Sequence, residues 1–292
     1  MRGAAMSDAH KPARAGEEGT DAAVAVTAPR VSTTERVLRV AVPLVMIVLA
    51  VLAWDLIVTV NQIPRYILPS PADVAGSLYN DWGTLFPALL VTLRITFTAL
   101  ILALIGGVAV AILLVQSKWI ELALFPYAVI LQVTPIIAIA PLLLIYTDTQ
   151  TTLLTCAFLV AFFPILSNMV TGLKSVDHNL LNLFDLYGAS RLQTLLHLKI
   201  PAAMPYFMSG LRIGGGLALI ASVVAEFAAG AAGQGAGLAF RLLESQYRLN
   251  MPRLFAALVL LTATGVAIFG LTSLIAWLAL HRWHESAVRR EN

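Results

Sequence analysis

The chain has 292 residues, 59% of them hydrophobic and 12% charged, with a formal net charge of +3. Soluble domains carry about 25% charged residues, so a water-soluble enzyme or binding module is excluded, and a mean hydropathy of +0.84 points to a membrane protein. The charges gather at the two ends and in a few loops, with no clustered basic face suited to nucleic acid.

Residues 1–36 are rich in Ala, Gly, Thr and mixed charge without apolar periodicity, and read as a disordered cytoplasmic tail. The first apolar stretch begins near Val37, too deep and too long for a cleavable signal core. A membrane helix needs about 20 apolar residues. Six stretches qualify: 37–60, 86–115, 119–146, 151–172, 203–227 and 254–280. The fold class expected is an all-α membrane protein with a six-span domain over 37–281 and a second cytoplasmic tail over 282–292.

Between the first two spans, Ile63–Trp82 starts extended, because Pro69 and Pro71 push Leu68 and Ser70 away from helix. Ser70 before Pro71 then marks the start of a helix lying on the outer surface to about Asn80, with Tyr79 and Trp82 suited to the interface. The third span carries Pro126, Pro135 and Pro141 and is expected to be kinked or broken. Such breaks are tolerated where they are buried in protein or line a cavity.

A polar insert, Leu186–Tyr206, follows the fourth span. Asp177–Tyr187 reads as a short helix with Leu180, Leu181, Leu183, Phe184 and Leu186 as its apolar set. Gly188 can take the left-handed conformation that ends it. Ser190 and Gln193 form a capping-box pattern that starts a second helix. Leu192, Leu195, Leu196 and Leu198 give that helix an apolar side, and Pro201 is expected to stop it. Such a segment suits a groove of a partner protein or a bed of lipid headgroups. Further on, Gly230–Gly237 is a flexible run expected on the outer side, and 241–253 is expected to be an outer loop.

Arg30, Arg36 and Arg39 precede the first span, Lys174, Arg191 and Lys199 follow the fourth, and Arg282, Arg289 and Arg290 follow the sixth. The positive-inside rule then puts both termini and the 174–201 loop in the cytoplasm. Arg241, Arg248 and Arg253 on the outer side depart mildly from it.

Charges inside spans are functional candidates by default. For Arg94 and Glu226 the functional reading is a place near the outer pathway or at a dimer interface, and the structural one is pairing or snorkelling to water. Arg212 reads as structural. Gln132 and Thr134, beside Pro135, either touch substrate or bond to backbone carbonyls freed by the proline. Gly106, Gly107 and the run Gly214–Gly216 read as close-packing residues. Cys156 is the sole cysteine, and the five histidines show no zinc-type spacing, so no metal site is expected.

The insert resembles the cytoplasmic signature loop of bacterial ABC-importer permeases, whose pattern is Glu-Ala-Ala, three residues, Gly, nine residues, Ile-x-Leu-Pro. Counting from Gly188, the aliphatic positions fall on Leu198 and Ile200 and the proline on Pro201. The triplet positions hold Asn182, Leu183 and Phe184 instead, and the nearest acidic residue is Asp185. LPSPADV (Leu68–Val74), TLRITF (Thr92–Phe97), TPIIAIAPLLLIY (Thr134–Tyr146) and GLRIGGGLALIASVVAEF (Gly210–Phe227) are similar to the nitrate/sulfonate/taurine group of these permeases. That group usually carries a Phe-Gly pair after the third-span motif, where this chain has Thr147 and Asp148.

The resemblance implies a type I importer fold, a homodimer in the bacterial inner membrane, and a coupling helix docked in a cytoplasmic ABC ATPase. It assigns that docking to Asp185, Gly188, Ala189, Ser190, Arg191, Gln193 and Pro201. A substrate-binding protein would dock on the outer face. The substrate would be a small polar or anionic solute. None of the four lysines follows a glycine, so the chain has no Walker A loop. It is expected to bind no cofactor and to catalyse nothing, ATP being used by the partner. The alternative is a secondary transporter driven by an ion gradient, a class that shows inverted repeats and midplane carboxylates.

Overall fold

A computed structural model describes residues 33–230 and 236–281. All regular elements among the described residues are helices: α1 (Thr33–Val60), α2 (Pro71–Asn80), α3 (Trp82–Gln116), α4 (Lys118–Val133), α5 (Ile136–Tyr146), α6 (Thr149–Lys174), α7 (His178–Leu186), α8 (Arg191–Thr194), α9 (Ile200–Ala229), α10 (Leu238–Tyr247) and α11 (Met251–Leu280). A π-helical turn, Leu195–Lys199, joins α8 to α9. Two units are distinguished, 1–50 and 51–292. Among the described residues the first holds the beginning of α1, an apolar run with Pro43 inside it. The second holds everything else. Five helices are long and apolar enough to cross a membrane, or six if the bent pair α4 and α5 counts as one span.

The break in the third apolar stretch falls at one of its three prolines. Thr134 and Pro135 are extended, and α4 and α5 meet at 98°. Pro135 disfavours helical conformation at Thr134. Pro126 and Pro141 sit inside α4 and α5 without ending them. Helix α2 starts as the sequence predicts. Ser70 accepts from the Asp73 amide, the Asp73 carboxylate accepts from the Ser70 amide, and Pro71 occupies the first turn.

The core is built from α3, α6 and α9. In lipid the apolar effect does not drive helices together, so close van der Waals contact between small residues does. A Cβ on Gly172 would lie 2.9 Å from Ala203, and one on Gly210 or Gly214 would meet Ile165 at 3.2 or 3.0 Å. These pairings run in opposite directions along the two chains, so α6 and α9 are antiparallel at backbone-to-backbone range. Gly107 is held equally close, with Ile165 at 2.9 Å, and Gly215 faces Ile268 and Thr272 at 3.2 Å. Gly216 faces open space and Gly106 makes only ordinary contact with two phenylalanines, so close packing accounts for part of the glycine set. Leu166, Met169, Leu173, Ala111 and Leu114 fill the layer near the α6–α7 junction, and Leu85, Ala88, Leu238, Ala256 and Ala257 fill the opposite one.

Two expectations fail. Pro201 does not stop the helix that begins after Ser190. It lies in the first turn of α9. The intervening π turn widens the ladder so that the Ile200 amide donates to the Leu195 carbonyl. A proline lacks the donor such a ladder would use, and the extra residue in the turn absorbs the mismatch, leaving one helical rod over Arg191–Ala229. Nor is 241–253 a loop. It is the second half of α10, a short bend and the start of α11. The expected tails, apart from residues 33–36 at the start of α1, and most of the Gly230–Gly237 run (231–235) lie outside the described residues.

Candidate functional site

The bend between α7 and α8 is an elbow built by local chemistry. Asp177 caps α7 by accepting from the Asn179 amide. At the far end the Ala189 amide donates to the Phe184 carbonyl and the Gly188 amide to the Asp185 carbonyl, both at 3.0 Å. That pair of bonds is the Schellman arrangement, which needs a left-handed residue, and Gly188 supplies it with φ +68°. Ser190 then accepts from the Gln193 amide while the Gln193 side chain accepts from the Ser190 amide, so the capping box read from the sequence is present. Helix α7 buries none of its residues, and Leu186, Tyr187 and Leu192 are largely exposed. The expected coupling residues Asp185, Gly188, Ala189, Ser190, Arg191 and Gln193 therefore share one projecting bend. Pro201 stands apart from it, beyond the π turn.

The substrate-pathway candidates are not brought together. Arg94 is exposed and forms no ion pair among the described residues. It points opposite to Thr92 and Thr96, which face the core of α3. Gln132 is exposed. Thr134 donates its hydroxyl to the Ile130 carbonyl at 2.7 Å, an oxygen that also accepts the Thr134 amide at 3.1 Å. Arg212 sits over the Phe269 ring, 5.7 Å from its centroid.

Glu226 is 2% exposed, so it does not snorkel. Its Oε1 accepts from the Thr92 hydroxyl at 2.8 Å and its Oε2 from the Ala239 amide at 2.9 Å. The Leu238 amide donates to the Thr92 hydroxyl at 2.9 Å. Glu226 and Thr92 thus satisfy the first amides of α10, a helix whose own cap residue, Gly237, has no side chain to do so. One turn further in, Thr96 and Ser222 share a hydrogen bond of 2.9 Å. A Cβ on Gly237 would lie 2.2–2.4 Å from the Glu226 carboxyl, so any side chain there displaces the carboxyl from its present place.

Reading the charges singly missed this arrangement. Thr92 and Thr96 are four residues apart, as are Ser222 and Glu226, and each pair occupies one face of an apolar helix. Two polar pairs at matching helical spacing were the available signal. The location of α10 was not, because a glycine start hides the cap.

The basic residues near the α10–α11 bend are compensated. Arg253 donates to Asp81, which also accepts from Ser77 at 2.6 Å. The Arg253 hydrogen bond holds the Asp81 carboxyl below the ordinary aspartate range, against the opposing effect of burial. Arg241 and Arg248 both pair with Glu244, whose carboxyl is lowered chiefly by the hydrogen bond from Arg241. Asp148 caps α6, and bonds from Thr151 lower its carboxyl in the same way.

Residues 103–290 match the family of binding-protein-dependent transport system inner membrane components. The chain is 32% identical to a probable ABC transporter permease protein of Haemophilus influenzae over 84% of its length and 98% of the relative's. It is 34% identical to the riboflavin transport system permease protein of Chloroflexus aurantiacus, covering 88% of this chain and 96% of that one. It is 30% identical to the taurine transport system permease protein of Escherichia coli over 62% of this chain and 69% of that one. The projecting glycine bend between two apolar helices sits inside the matched region, and the chain belongs to the family of binding-protein-dependent transport system inner membrane components, the ABC transporter permeases.

Proposed function

We propose that this permease is the membrane subunit of an ATP-driven importer, and that the α7–α8 elbow is the element through which a separate cytoplasmic ABC ATPase moves it. The observation that carries this is the elbow's construction. Three local devices, the Asp177 cap, the Gly188 Schellman turn and the Ser190–Gln193 box, fix its shape, while none of α7 is buried. A segment so strongly specified while most of its side chains stay exposed is suited to another surface. Asp185, Ala189, Ser190, Arg191 and Gln193 form the contact, and Pro201 shapes the turn behind it.

In this reading α4 and α5 together make one broken span, giving six over 37–281, with residues 1–36 and 282–292 as cytoplasmic tails in the bacterial inner membrane. The arginines at Asp81 and Glu244 remain a mild departure from the positive-inside rule, and the orientation rests on the basic residues of the 174–201 loop and the flanks. Two copies form the translocation path, and an extracytoplasmic binding protein delivers the solute. The relatives' names specify transport of riboflavin, formylaminopyrimidine, nitrate and taurine, which supports a small polar or anionic solute. ATP is consumed by the partner ATPase. Against the gradient-driven alternative, both oxygens of the buried carboxylate Glu226 are already engaged by Thr92 and α10.

The test is co-purification of the full chain with its ATPase. Gly188→Asp, or deletion of residues 189–191, is expected to leave the permease inserted and folded while ATPase recovery collapses. ATPase recovery at the unaltered level in both variants refutes the docking role.

A further inference from the structure

Beneath the elbow lies a cavity of about 530 Å³. Its floor is apolar, formed by Leu114, Leu122 and Leu173, and its rim carries Lys118, Lys199 and His178. A second cavity of about 300 Å³ adjoins it and shares Leu181 and Lys199. Lys174 also lines the first cavity, but its ammonium is already bonded to Glu121. Lys118 and Lys199 form no ion pair among the described residues. Lys118 is moreover the first residue of α4. A cation there opposes the positive end of the helix dipole, a conflict that a bound anion relieves. Trp119, 80% exposed next to Lys118, is a residue suited to the membrane–water boundary. Cations above an apolar floor at that boundary match an anionic group attached to hydrocarbon.

We propose that this cavity binds a phosphate group, with Lys118 and Lys199 as its cationic ligands, and that the apolar floor selects the phosphate of an anionic phospholipid over the free ion. Because Leu181 of α7 forms part of the wall, occupancy braces the elbow from behind, leaving its outward side for the partner. The inference rests on the proposed cytoplasmic orientation of the elbow. Its readout needs no ATPase, so failure here and failure of the docking role are separately visible.

The experiment uses the full-length chain, delipidated in mild detergent and mixed with micelles containing phosphatidylglycerol or phosphatidylcholine, with retained lipid counted by native mass spectrometry. Phosphatidylglycerol is expected to be retained preferentially. Lys118→Gln with Lys199→Gln is expected to lower that retention about thirtyfold, the scale for removing two cations beside an anionic headgroup. The double arginine variant should restore it. Leu122→Trp, which fills the floor and keeps the charges, should also lower retention, and it decides the matter if the double glutamine variant fails to fold. Thermal stabilisation by inorganic phosphate that disappears with the glutamine variant would assign the free ion as the ligand. Equal retention of both lipids with no phosphate effect, or a phosphatidylglycerol preference that survives the variants, overturns the proposal.

Discussion

Replacing Gly237 with Ala tests the buried carboxylate through a residue that carries no chemistry of its own. The backbone at Gly237 has φ −84° and ψ −172°, an extended conformation open to any residue, so no backbone strain enters. The new methyl group would stand 2.2–2.4 Å from the Glu226 carboxyl, and the carboxyl must withdraw. It then loses at least the bond to the Ala239 amide, and a hydrogen bond within a membrane protein contributes about 0.6–1.7 kcal/mol. Glu226→Ala removes that bond and the one from Thr92 together, for an expected loss of about 2–4 kcal/mol. Once Glu226 is alanine the Gly237 methyl meets empty space, so the double variant should be no less stable than Glu226→Ala alone. The coupling is therefore about 0.6–1.7 kcal/mol, above the few tenths expected of independent sites. Unfolding by SDS titration in mixed micelles, followed by tryptophan fluorescence, measures all four proteins. Additive losses would refute the reasoning that Glu226 caps α10 against Gly237.

Other consequences are open to measurement. Gly172→Ala pushes a methyl group against Ala203 at 2.9 Å and should cost about 1–3 kcal/mol by overpacking, read by the same titration, while Gly216→Ala, facing open space, should not. The Asp81 carboxyl titrates below its ordinary value because Arg253 donates to it. A depressed folded value means that its contribution to stability is full above the unfolded value of about 3.9 and fades as pH falls through the folded one. Asp81→Asn should therefore flatten the acid limb of the stability profile and lower stability at neutral pH. Thr134→Val removes the bond to Ile130 and should cost about 0.5–1.5 kcal/mol with solute uptake intact. Uptake lost with stability unchanged would instead make Thr134 a substrate contact.

Much of the fold was legible because its signals are local. Ser70 with Pro71, Asp177, Gly188, and Ser190 with Gln193 each act within four residues, and each does in the structure what its type predicts. Long apolar runs located the helices to within a few residues. The misreadings share a cause. Pro201 was expected to end a helix from the residue's own geometry, but a widened turn several residues upstream accommodates it. Helix α10 was read as loop because its cap lies on α9, outside any local window. Glu226 and Arg94 look alike in sequence, each a lone charge in an apolar run. Only the packing of α3 against α9 separates them, since it buries one against α10 and turns the other outward. The elbow's shape was readable in advance, whereas what it meets depends on a second molecule and leaves no mark in the chain's own hydrogen bonds.

The π turn makes Arg191–Ala229 one unbroken shaft of 39 residues, close to 58 Å long at about 1.5 Å per residue. Its near end is the exposed capping box and its far end holds the carboxylate on which α10 hangs. On the proposed docking role, a tilt imposed at the first would reach the second without passing through any loop. Shortening the π turn by one residue would rotate the box by about 100° relative to the shaft, so this turn sets the phase between the two ends.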